Sequence, residues 1–427
     1  MNDITFPPAG YVATESAVAG IDLYMPAPEA DKHREVVQFS CPQCDAETAY
    51  SAEGGGLTCT YCGYHEPAPQ EIVGKGAEEF EFTVTTVNRA AHGWGVERKA
   101  LVCQRCAAQT SVPPDALTHT CPFCGSNQVI QQQAPQELLR PRFLVPLTVI
   151  PDQCRQQVRA WLGSSWMTPA KLQQIARVAD FTPLYLPYWT FDARTTADWR
   201  AQVAHQKTEW YTDSEGRRRS RTRTVWKWES GHVDHFFDDL LVPGTGKVSR
   251  LLLQRLQDYN LQDLVVYEPG FLAGTQAQAY DITLDPAWER ARHLMREATQ
   301  EACRGQASNS RMRNFSMTLD FSEESWRYIL LPVYVATYRY QDERYQVLVN
   351  GQTGTVAGQR PVDWRKVWLA AFGLIAPGLI AGLVALLLAA SGTETGIFVG
   401  VFGFIILVVG VFWAIRIVQQ AQGMDDA

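Results

Sequence analysis

Several features that would assign a common activity are absent from the 427-residue sequence. The first twenty residues contain no basic region followed by a long apolar run, so we expect no secretory signal peptide. The segment Gly244–Lys247 reads GTGK, but no glycine stands five residues before Gly246, and Val248 follows the lysine where serine or threonine is needed. The sequence therefore contains no phosphate-binding loop, which disfavours an ATPase or a helicase.

Catalytic groupings and a general excess of positive charge are missing as well. No Ser-His-Asp or Cys-His arrangement is recognisable, and we predict that the protein is not an enzyme. The formal net charge is −7, so the chain as a whole does not attract nucleic acid. A metal site could be imagined from His232, Asp234, His235 and Asp238, but in a strand His235 would face away from the other three.

Two long runs near the C-terminus contain no charged residue, Val367–Ala390 and Ile397–Ile415. As helices they would extend roughly 36 Å and roughly 28 Å, close to the ~30 Å hydrocarbon core of a bilayer. Only Ser391–Gly396 separates them, so they would form a tight antiparallel hairpin. We predict membrane-spanning helices over residues 367–390 and 397–416. A buried pair of helices in a soluble core is the alternative.

The charges around these runs predict an orientation. Basic residues flank the outer ends, at Arg360, Arg365, Lys366 and Arg416. The turn carries only Glu394, so the positive-inside rule places the N-terminal domains and the C-terminus in the cytoplasm, at the inner (plasma) membrane. The glycine pairs Gly378/Gly382 and Gly396/Gly400 have the spacing that lets helices approach closely, either within the hairpin or in a homo-oligomer.

Eight of the ten cysteines form four CxxC pairs with a doubled C-x2-C-x14-C-x2-C spacing. They are Cys41, Cys44, Cys59 and Cys62 in the first copy, and Cys103, Cys106, Cys121 and Cys124 in the second. Two CxxC turns facing each other direct four thiolates at one point, which predicts two closed, structural Zn²⁺ sites of the zinc-ribbon type. Gly63 and Gly125 follow the second pairs, where a positive φ is favoured. A redox CxxC pair and disulfides are the disfavoured alternatives.

The composition along the chain predicts an α+β fold with two tandem zinc ribbons and a C-terminal membrane hairpin. We expect a flexible tail, a first ribbon, a linker region, a second ribbon and a mixed α+β domain, over residues 1–35, 36–66, 67–97, 98–130 and 137–360. Strands are predicted at Leu184–Ala204, Thr224–Phe237, Asn314–Phe321 and Tyr328–Tyr340. Segments 143–193 and 280–338 both run strand, helix, then a strand with Leu-Pro, which suggests an internal duplication.

One dense basic cluster lies in the segment TDSEGRRRSRTR, which we predict to be the polar tip of a long hairpin. Its arginines are Arg217, Arg218, Arg219, Arg221 and Arg223. Three interpretations remain open: a solvated tip, a contact with anionic lipid or an acidic partner, and a nucleic-acid contact.

Four further motifs accompany the cysteines: LPYWTFDA, YEPGFLAG, LPVYVATYRY and VNGQTGTVAG. With the membrane hairpin, they resemble bacterial membrane proteins of the TFIIB-type zinc-ribbon group, often labelled primosomal-protein-like or helicase-like. The resemblance covers nearly the whole chain from about residue 36; the arginine-rich tip departs from it. It implies a non-enzymatic membrane protein that partners phage-shock-protein-A-type and SPFH-type proteins and recruits cytosolic factors during envelope stress.

Three functional hypotheses follow. The first is a membrane-anchored adaptor that docks cytosolic proteins through its ribbons and α+β domain. The second is a membrane-tethered zinc-ribbon protein that binds nucleic acid through the ribbons and Arg217–Arg223, which would bind with a steep salt dependence. The third is a membrane-bound redox or hydrolytic enzyme.

Overall fold

The protein has a mixed α+β architecture with two apolar helices at its C-terminal end. The computed structural model describes residues 11–14, 23–26, 39–68, 72–77, 79–81, 98–112, 121–123, 129–133, 138–169, 172, 181–212, 214, 217–340, 343–390 and 395–425.

The described residues of the N-terminal third include nine short strands. They are β1 (Tyr11–Thr14), β2 (Leu23–Pro26), β3 (Thr48–Ser51), β4 (Gly56–Cys59), β5 (His65–Pro67), β6 (Phe80–Glu81), β7 (Lys99–Cys103), β8 (Gln109–Val112) and β9 (Val129–Gln133). Strands β1 and β2 pair with each other, and β3, β4 and β5 form a separate three-stranded sheet. Strands β6 to β9 belong to a 12-stranded sheet that continues through the rest of the chain.

The remaining strands and the helices follow. The strands are β10 (Phe143–Leu144), β11 (Thr182–Thr212), β12 (Arg218–Pro243), β13 (Val265–Val266), β14 (Gln276–Gln278), β15 (Met312–Tyr340), β16 (Glu343–Asn350) and β17 (Val356–Gly358). The helices are α1 (Pro151–Gly163), α2 (Arg250–Arg255), α3 (Leu284–Gln306), α4 (Trp364–Ala390) and α5 (Thr395–Asp425). Single 3-10 turns lie at Gly74–Gly76, Leu261–Asp263 and Pro269–Leu272.

Three long strands form the centre of the large sheet. Strand β11 has 31 residues and pairs antiparallel with β12 on one side and β15 on the other. The two Leu-Pro segments lie side by side, since Leu186 pairs with Leu331, Pro187 with Leu330 and Tyr185 with Pro332. This register is symmetric about the leucine pair, as a two-fold relation between the two segments requires.

The core lies under one half of these strands, which we call the proximal half; in β11 it begins at Thr182 and contains the buried residues Leu184–Ala193. Trp189 is fully buried, contacts the rings of Trp326, Tyr328 and Tyr280, and donates its indole N–H to the Ile282 carbonyl at 2.9 Å. Helix α3 covers β11 and β12 further along. Its buried side chains recur every three or four residues, as one apolar helix face requires: Leu284, Ala287, Trp288, Ala291, Met295, Thr299 and Cys303.

Both strands that pair with β11 are irregular at the level of Asp192. Strand β12 has an extra residue near Asp239 and β15 has one near Glu323, and these two residues have φ of 57° and 53°. Such bulges bend a strand and increase its twist. Beyond them the strands continue as an extension that we call the arm (residues 194–212, 218–237 and 312–322). Strand β15 starts opposite Val203, so the tip of the arm, beyond that point, is two-stranded.

The strand predictions were too short in this region. The structure extends the first strand to Thr212 and starts the second at Arg218, so most of the predicted polar tip is strand. The cross-strand pair of Glu209 with Arg221 places opposite charges side by side there, which favours pairing. The two predicted strands 314–321 and 328–340 are one continuous strand, because both stretches pair with β11.

Helices α4 and α5 have mean hydropathies of 2.4 and 2.7 over their most apolar stretches and are long and apolar enough to span a membrane. They pack antiparallel through small residues. A side chain at Gly378 would collide with Leu407, and one at Gly410 would collide with the Leu374 carbonyl. Large apolar side chains face outward, among them Leu369, which is 71% exposed. Helix α5 continues past its apolar run to Asp425.

Candidate metal centres

The described CxxC turns share one backbone geometry. The first cysteine of each turn donates its N–H to the carbonyl five residues on, in the pairs Cys41–Ala46 (2.6 Å), Cys59–Tyr64 (2.8 Å) and Cys103–Ala108 (2.9 Å). The carbonyl of that cysteine accepts the N–H of the residue four positions later, just after the second cysteine. This residue has a positive φ: Asp45 (59°), Gly63 (77°) and Ala107 (53°). The tight turn holds both thiols of a pair on the same side.

The first cluster brings together all four predicted ligands. The Sγ atoms of Cys41 and Cys62 are 3.4 Å apart and those of Cys44 and Cys59 are 3.6 Å apart. All four Sγ atoms lie within 4.8 Å of one another. Four sulfurs bound tetrahedrally at ~2.3 Å would lie about 3.8 Å from one another. The cluster therefore has the size of a four-thiolate metal site, and its sulfurs are too far apart for disulfides.

The protein favours an anionic thiol within this cluster. The amides of Cys62 and Tyr61 donate hydrogen bonds that lower the pKa of Cys59 to about 6. Although the Ala46 amide acts in the same direction on Cys44, burial and the neighbouring thiols raise the pKa of Cys44 to about 12. Four crowded thiols cannot all ionise unless a cation balances their charge, which a bound metal ion does.

The second cluster contains three of its predicted ligands. Cys103, Cys106 and Cys121 have ligand atoms within 4.8 Å of one another, and the Sγ atoms of Cys106 and Cys121 are 3.6 Å apart. The predicted fourth ligand, Cys124, and Gly125 lie outside the described residues. Both clusters could hold a metal ion.

The first ribbon packs against the YEPGFLAG segment (residues 267–274). Tyr50 of β3 donates its N–H to the Ala273 carbonyl at 3.1 Å and packs its ring on Phe271 at 5.4 Å. Gly274 has a φ of 68°, and a side chain there would collide with Ala49. The glycine is therefore required for the close approach of the ribbon to the large sheet.

The second ribbon is hydrogen-bonded into the large sheet next to the same segment. Strand β8 pairs with β14, which follows YEPGFLAG directly. Buried Arg98 donates to the carbonyls of Ser111 (3.1 Å), Thr275 (2.9 Å) and Leu272 (3.4 Å). Both ribbons are thus fixed on one short stretch of chain, residues 271–278.

The structure does not gather the other metal site that was considered. His232 contacts Asp198 at 2.8 Å, and Asp234 contacts Arg194 at 2.9 Å. His235 stands against the ring of Phe237, while Asp238 pairs with Lys75 at 2.6 Å. Each group has a different partner, and the bulge at Asp239 interrupts the strand register only next to Asp238.

Sequence reasoning missed a buried charge cluster at the bulges. Arg327 is 1% exposed, and its Nη2 lies 3.0 Å from Glu79 and 3.6 Å from Asp192, and also contacts Asp239. Asp192 accepts the Asp239 N–H at 2.5 Å. Burial, followed by the contact with Glu79, raises the pKa of Asp192 to about 7. No local spacing indicates this cluster, since its members come from four distant parts of the sequence.

A serine, a histidine and a glutamate of the arm region lie within contact distance of one another, as the members of a catalytic triad do. Glu229 accepts the Ser308 hydroxyl at 2.5 Å and contacts His205 Nε2 at 2.7 Å. The serine oxygen lies 3.5 Å from the same Nε2. A triad needs the carboxylate and the serine on opposite ring nitrogens, so this arrangement does not relay a proton from serine through histidine.

The arm has a ladder of arginines stacked on aromatic rings on the face turned away from α3. The guanidinium carbons lie 4.3 Å from the ring centre for Arg200 on Trp228, 4.4 Å for Arg313 on Trp226 and 5.6 Å for Arg218 on Trp210. Each such contact stabilises the arm modestly, by about 0.5–1 kcal/mol at exposed positions.

The chain is similar to a protein of Bacillus subtilis (strain 168) described as "Uncharacterized protein YdjG". The two are 25% identical over 355 residues, which cover 82% of this chain and 96% of that protein. No protein-family description matches the chain. No solved structure matches it either.

Proposed function

We propose that the protein is a membrane-anchored zinc-ribbon adaptor that docks cytosolic partner proteins at the bacterial inner membrane. The observation that carries the proposal is the placement of both ribbons on residues 271–278 of a sheet whose chain continues directly into two apolar helices. An assembly platform needs such a fixed relation between its recognition modules and its anchor.

The metal in this proposal is structural zinc. The first cluster has four thiols at tetrahedral spacing and leaves no position for substrate or water. A four-sulfur tetrahedral set suits zinc or an iron–sulfur centre, and the repeated ribbon spacing favours zinc. The metal would hold each small ribbon in the shape that docks on the sheet.

The partners in this proposal are phage-shock-protein-A-type and SPFH-type proteins, with a role in the envelope-stress response. This part rests on the resemblance of the sequence motifs. The remaining motif, VNGQTGTVAG, has a structural place: buried Asn350 donates to the Leu256 carbonyl at 3.0 Å and accepts the Gln352 N–H at 2.8 Å. It stabilises the turn that leads towards the membrane helices.

Metal content and partner capture together test the proposal. The full-length chain is purified in mild detergent from its native membranes, its metal is measured by elemental analysis, and accompanying proteins are identified. We expect two zinc ions per chain and one or more stoichiometric partners. The variant Cys59→Ser should lose one zinc ion and the partners that bind the first ribbon. The control variant Cys303→Ala removes a buried cysteine outside the clusters and should keep both zinc ions and all partners.

Orientation is tested on membrane vesicles. Trypsin should digest the domain before Trp364 in inverted vesicles and leave it intact in sealed spheroplasts. Protection in the inverted vesicles, bound iron in place of zinc, or the same accompanying proteins in Cys59→Ser and the parent chain would contradict the proposal.

A nucleic-acid-binding ribbon protein is the second candidate, and the exposed arginines of the arm favour it. Arg219, Arg221 and Arg223 would contact phosphates. It predicts that the purified chain binds single-stranded oligonucleotides at low salt and loses this binding steeply as salt rises.

A further inference from the structure

The tip of the arm has a strand edge that is available for pairing. Strand β12 pairs with β11 along its length, and within the described residues no strand pairs with its other edge. An edge strand presents unpaired N–H and C=O groups that can accept a further strand. From Arg218 to Thr224 every residue is exposed, so nothing described covers this edge.

The side chains at this edge are strongly basic on one face. Arg219, Arg221 and Arg223 alternate along β12, so they share a face at intervals of about 6.8 Å. Lys207 and Glu209 of β11 lie on the same face and contact each other at 3.7 Å. The face therefore has an excess of positive charge in a chain whose formal net charge is −7.

The opposite face of the arm is occupied by its own stacking ladder. Arg218 lies over Trp210, and the next rings, Trp226 and Trp228, are covered by Arg313 and Arg200. Nucleic acid binds strand surfaces largely by stacking bases on open aromatic faces. The ladder covers one face of each of these rings, which favours a polypeptide ligand over bases.

The tip also lies far along the sheet from the membrane helices. The proximal end of β11 pairs at Val335, and nearby Tyr338 donates its hydroxyl to the Gln359 carbonyl at 2.8 Å, shortly before α4 begins. The 31 residues from Thr182 to Thr212 span roughly 100 Å along the strand. A ligand presented by cytosolic proteins fits this position better than the lipid that holds the anchor.

A second copy of the same edge fits poorly. Pairing β12 with another β12 would place arginines opposite arginines, and like charges directly opposite each other destabilise a strand pair. An extended segment with Asp or Glu at every second position would instead place a carboxylate opposite each arginine.

We propose that the outer edge of β12 at the tip binds an extended acidic segment of a partner protein as an added strand, with its carboxylates alternating opposite Arg221 and Arg223. This inference rests on the proposed adaptor function and names the chemistry of the partner at one surface. Main-chain hydrogen bonds would supply much of the affinity, and the charge pattern would supply the register.

The test uses the full-length chain in detergent and a fluorescent 12-residue peptide with glutamate at alternate positions and threonine or valine between. A second peptide has the same composition with its glutamates in adjacent pairs, and a third is N-methylated at alternate residues, which removes hydrogen bonds and keeps the charge. We expect the first peptide to bind at least tenfold more tightly than either of the others.

Matched variants locate the binding. The change Arg221→Gln with Arg223→Gln should weaken the first peptide at least tenfold. The change Arg200→Gln with Arg313→Gln, which removes the same charge from the ladder face, should alter it less than twofold. Equal weakening in both pairs would show a general charge effect and overturn the inference.

Other ligands provide the remaining outcomes. Tighter binding of a 15-nucleotide poly-dT, or of vesicles with one third anionic lipid, than of the alternating peptide would overturn the inference, as would equal binding of the N-methylated peptide. If no peptide binds while partners still co-purify with the parent chain, the inference fails and the adaptor function stands. If no partner co-purifies, the adaptor function itself fails.

Discussion

The two halves of β11 are stabilised in different ways although they belong to one continuous strand. Between Leu184 and Ala193 the side chains are buried against aromatic neighbours from β15 and the α3 region. Between His205 and Thr212 the strand is mostly exposed, with Trp210 at 64% and Tyr211 at 49%. The pairing with β12 runs through both halves and is interrupted by the bulge between Phe191 and Ala193.

The comparison shows that the same strand geometry can be maintained by unequal forces. Burying a large apolar side chain contributes about 1.5–3 kcal/mol in the proximal half. Cross-strand pairs and ring contacts in the arm contribute about 0.2–1 kcal/mol each. We therefore expect the arm to open locally while the proximal half of the sheet stays folded.

The largest difference should come from two tryptophans. The change Trp189→Ala creates a large cavity and leaves the Ile282 carbonyl without its donor, so unfolding should become easier by about 5 kcal/mol. The matched change Trp228→Ala, at a side chain that is 50% exposed, should cost about 1 kcal/mol or less. Thermal and urea unfolding of the purified chain measures both. Equal losses would mean that the arm is part of the core.

A second contrast uses two arginines of β15. Removing Arg327 leaves the carboxylates of Asp192 and Asp239 buried without their nearest cation, and Arg327→Leu should destabilise the protein by about 4 kcal/mol. The change Arg313→Leu removes an exposed arginine from the ladder and should cost about 1 kcal/mol or less. Urea midpoints of both variants test this; a stable Arg327→Leu variant would show that the carboxyls are neutral in the folded protein.

The boundary between the halves should respond to pH. The pKa of Asp192 rises from an ordinary 3.8 to about 7 in the folded protein, mainly because it is buried. A raised pKa stabilises the fold below about pH 4 and this stabilisation is lost as pH rises towards 7. The variant Asp192→Asn keeps the oxygen that accepts the Asp239 N–H and carries no charge.

We therefore expect Asp192→Asn to match the parent chain in stability near pH 3.5 and to exceed it at pH 8, because the parent loses its stabilisation between those values. Unfolding midpoints at the two pH values measure the difference. A variant that is less stable than the parent at pH 8 would show that the Asp192 anion is stabilised by Arg327 after all.

The smallest effect concerns one step of the ladder. The change Arg200→Gln removes one stacked contact with Trp228 and should lower local stability by about 0.5–1 kcal/mol while leaving the global midpoint nearly unchanged. Limited proteolysis should cut the arm of the variant a few times faster than that of the parent. Unchanged cutting would mean that backbone pairing alone maintains the arm.

The features that the sequence predicted best depend on local spacing. The CxxC turns are short-range, and the structure brings Cys41, Cys44, Cys59 and Cys62 together as one group. The apolar runs at the C-terminus are likewise two long apolar helices. Neither depends on contacts between distant parts of the chain.

The features that were missed depend on distant contacts. Arg327 was unremarkable in a polar stretch, because its carboxylate partners come from β11, β12 and the segment before β6. The bulges use Asp239 and Glu323 at positive φ, where a glycine would have given a signal. The arginines of the tip suggested a loop, since their strand conformation comes from pairing with β11.

Helix α5 does not end where its apolar run ends. It continues to Asp425 and seats Ala421 against Met167 and Val367, so no loop separates the apolar stretch from the folded domain. In a bilayer that is thinner or thicker than the helix, the helix adjusts its tilt. If the two helices span a bilayer as proposed, a change in the tilt of this continuous helix would act directly on Met167 and Val367, with no flexible segment to absorb it.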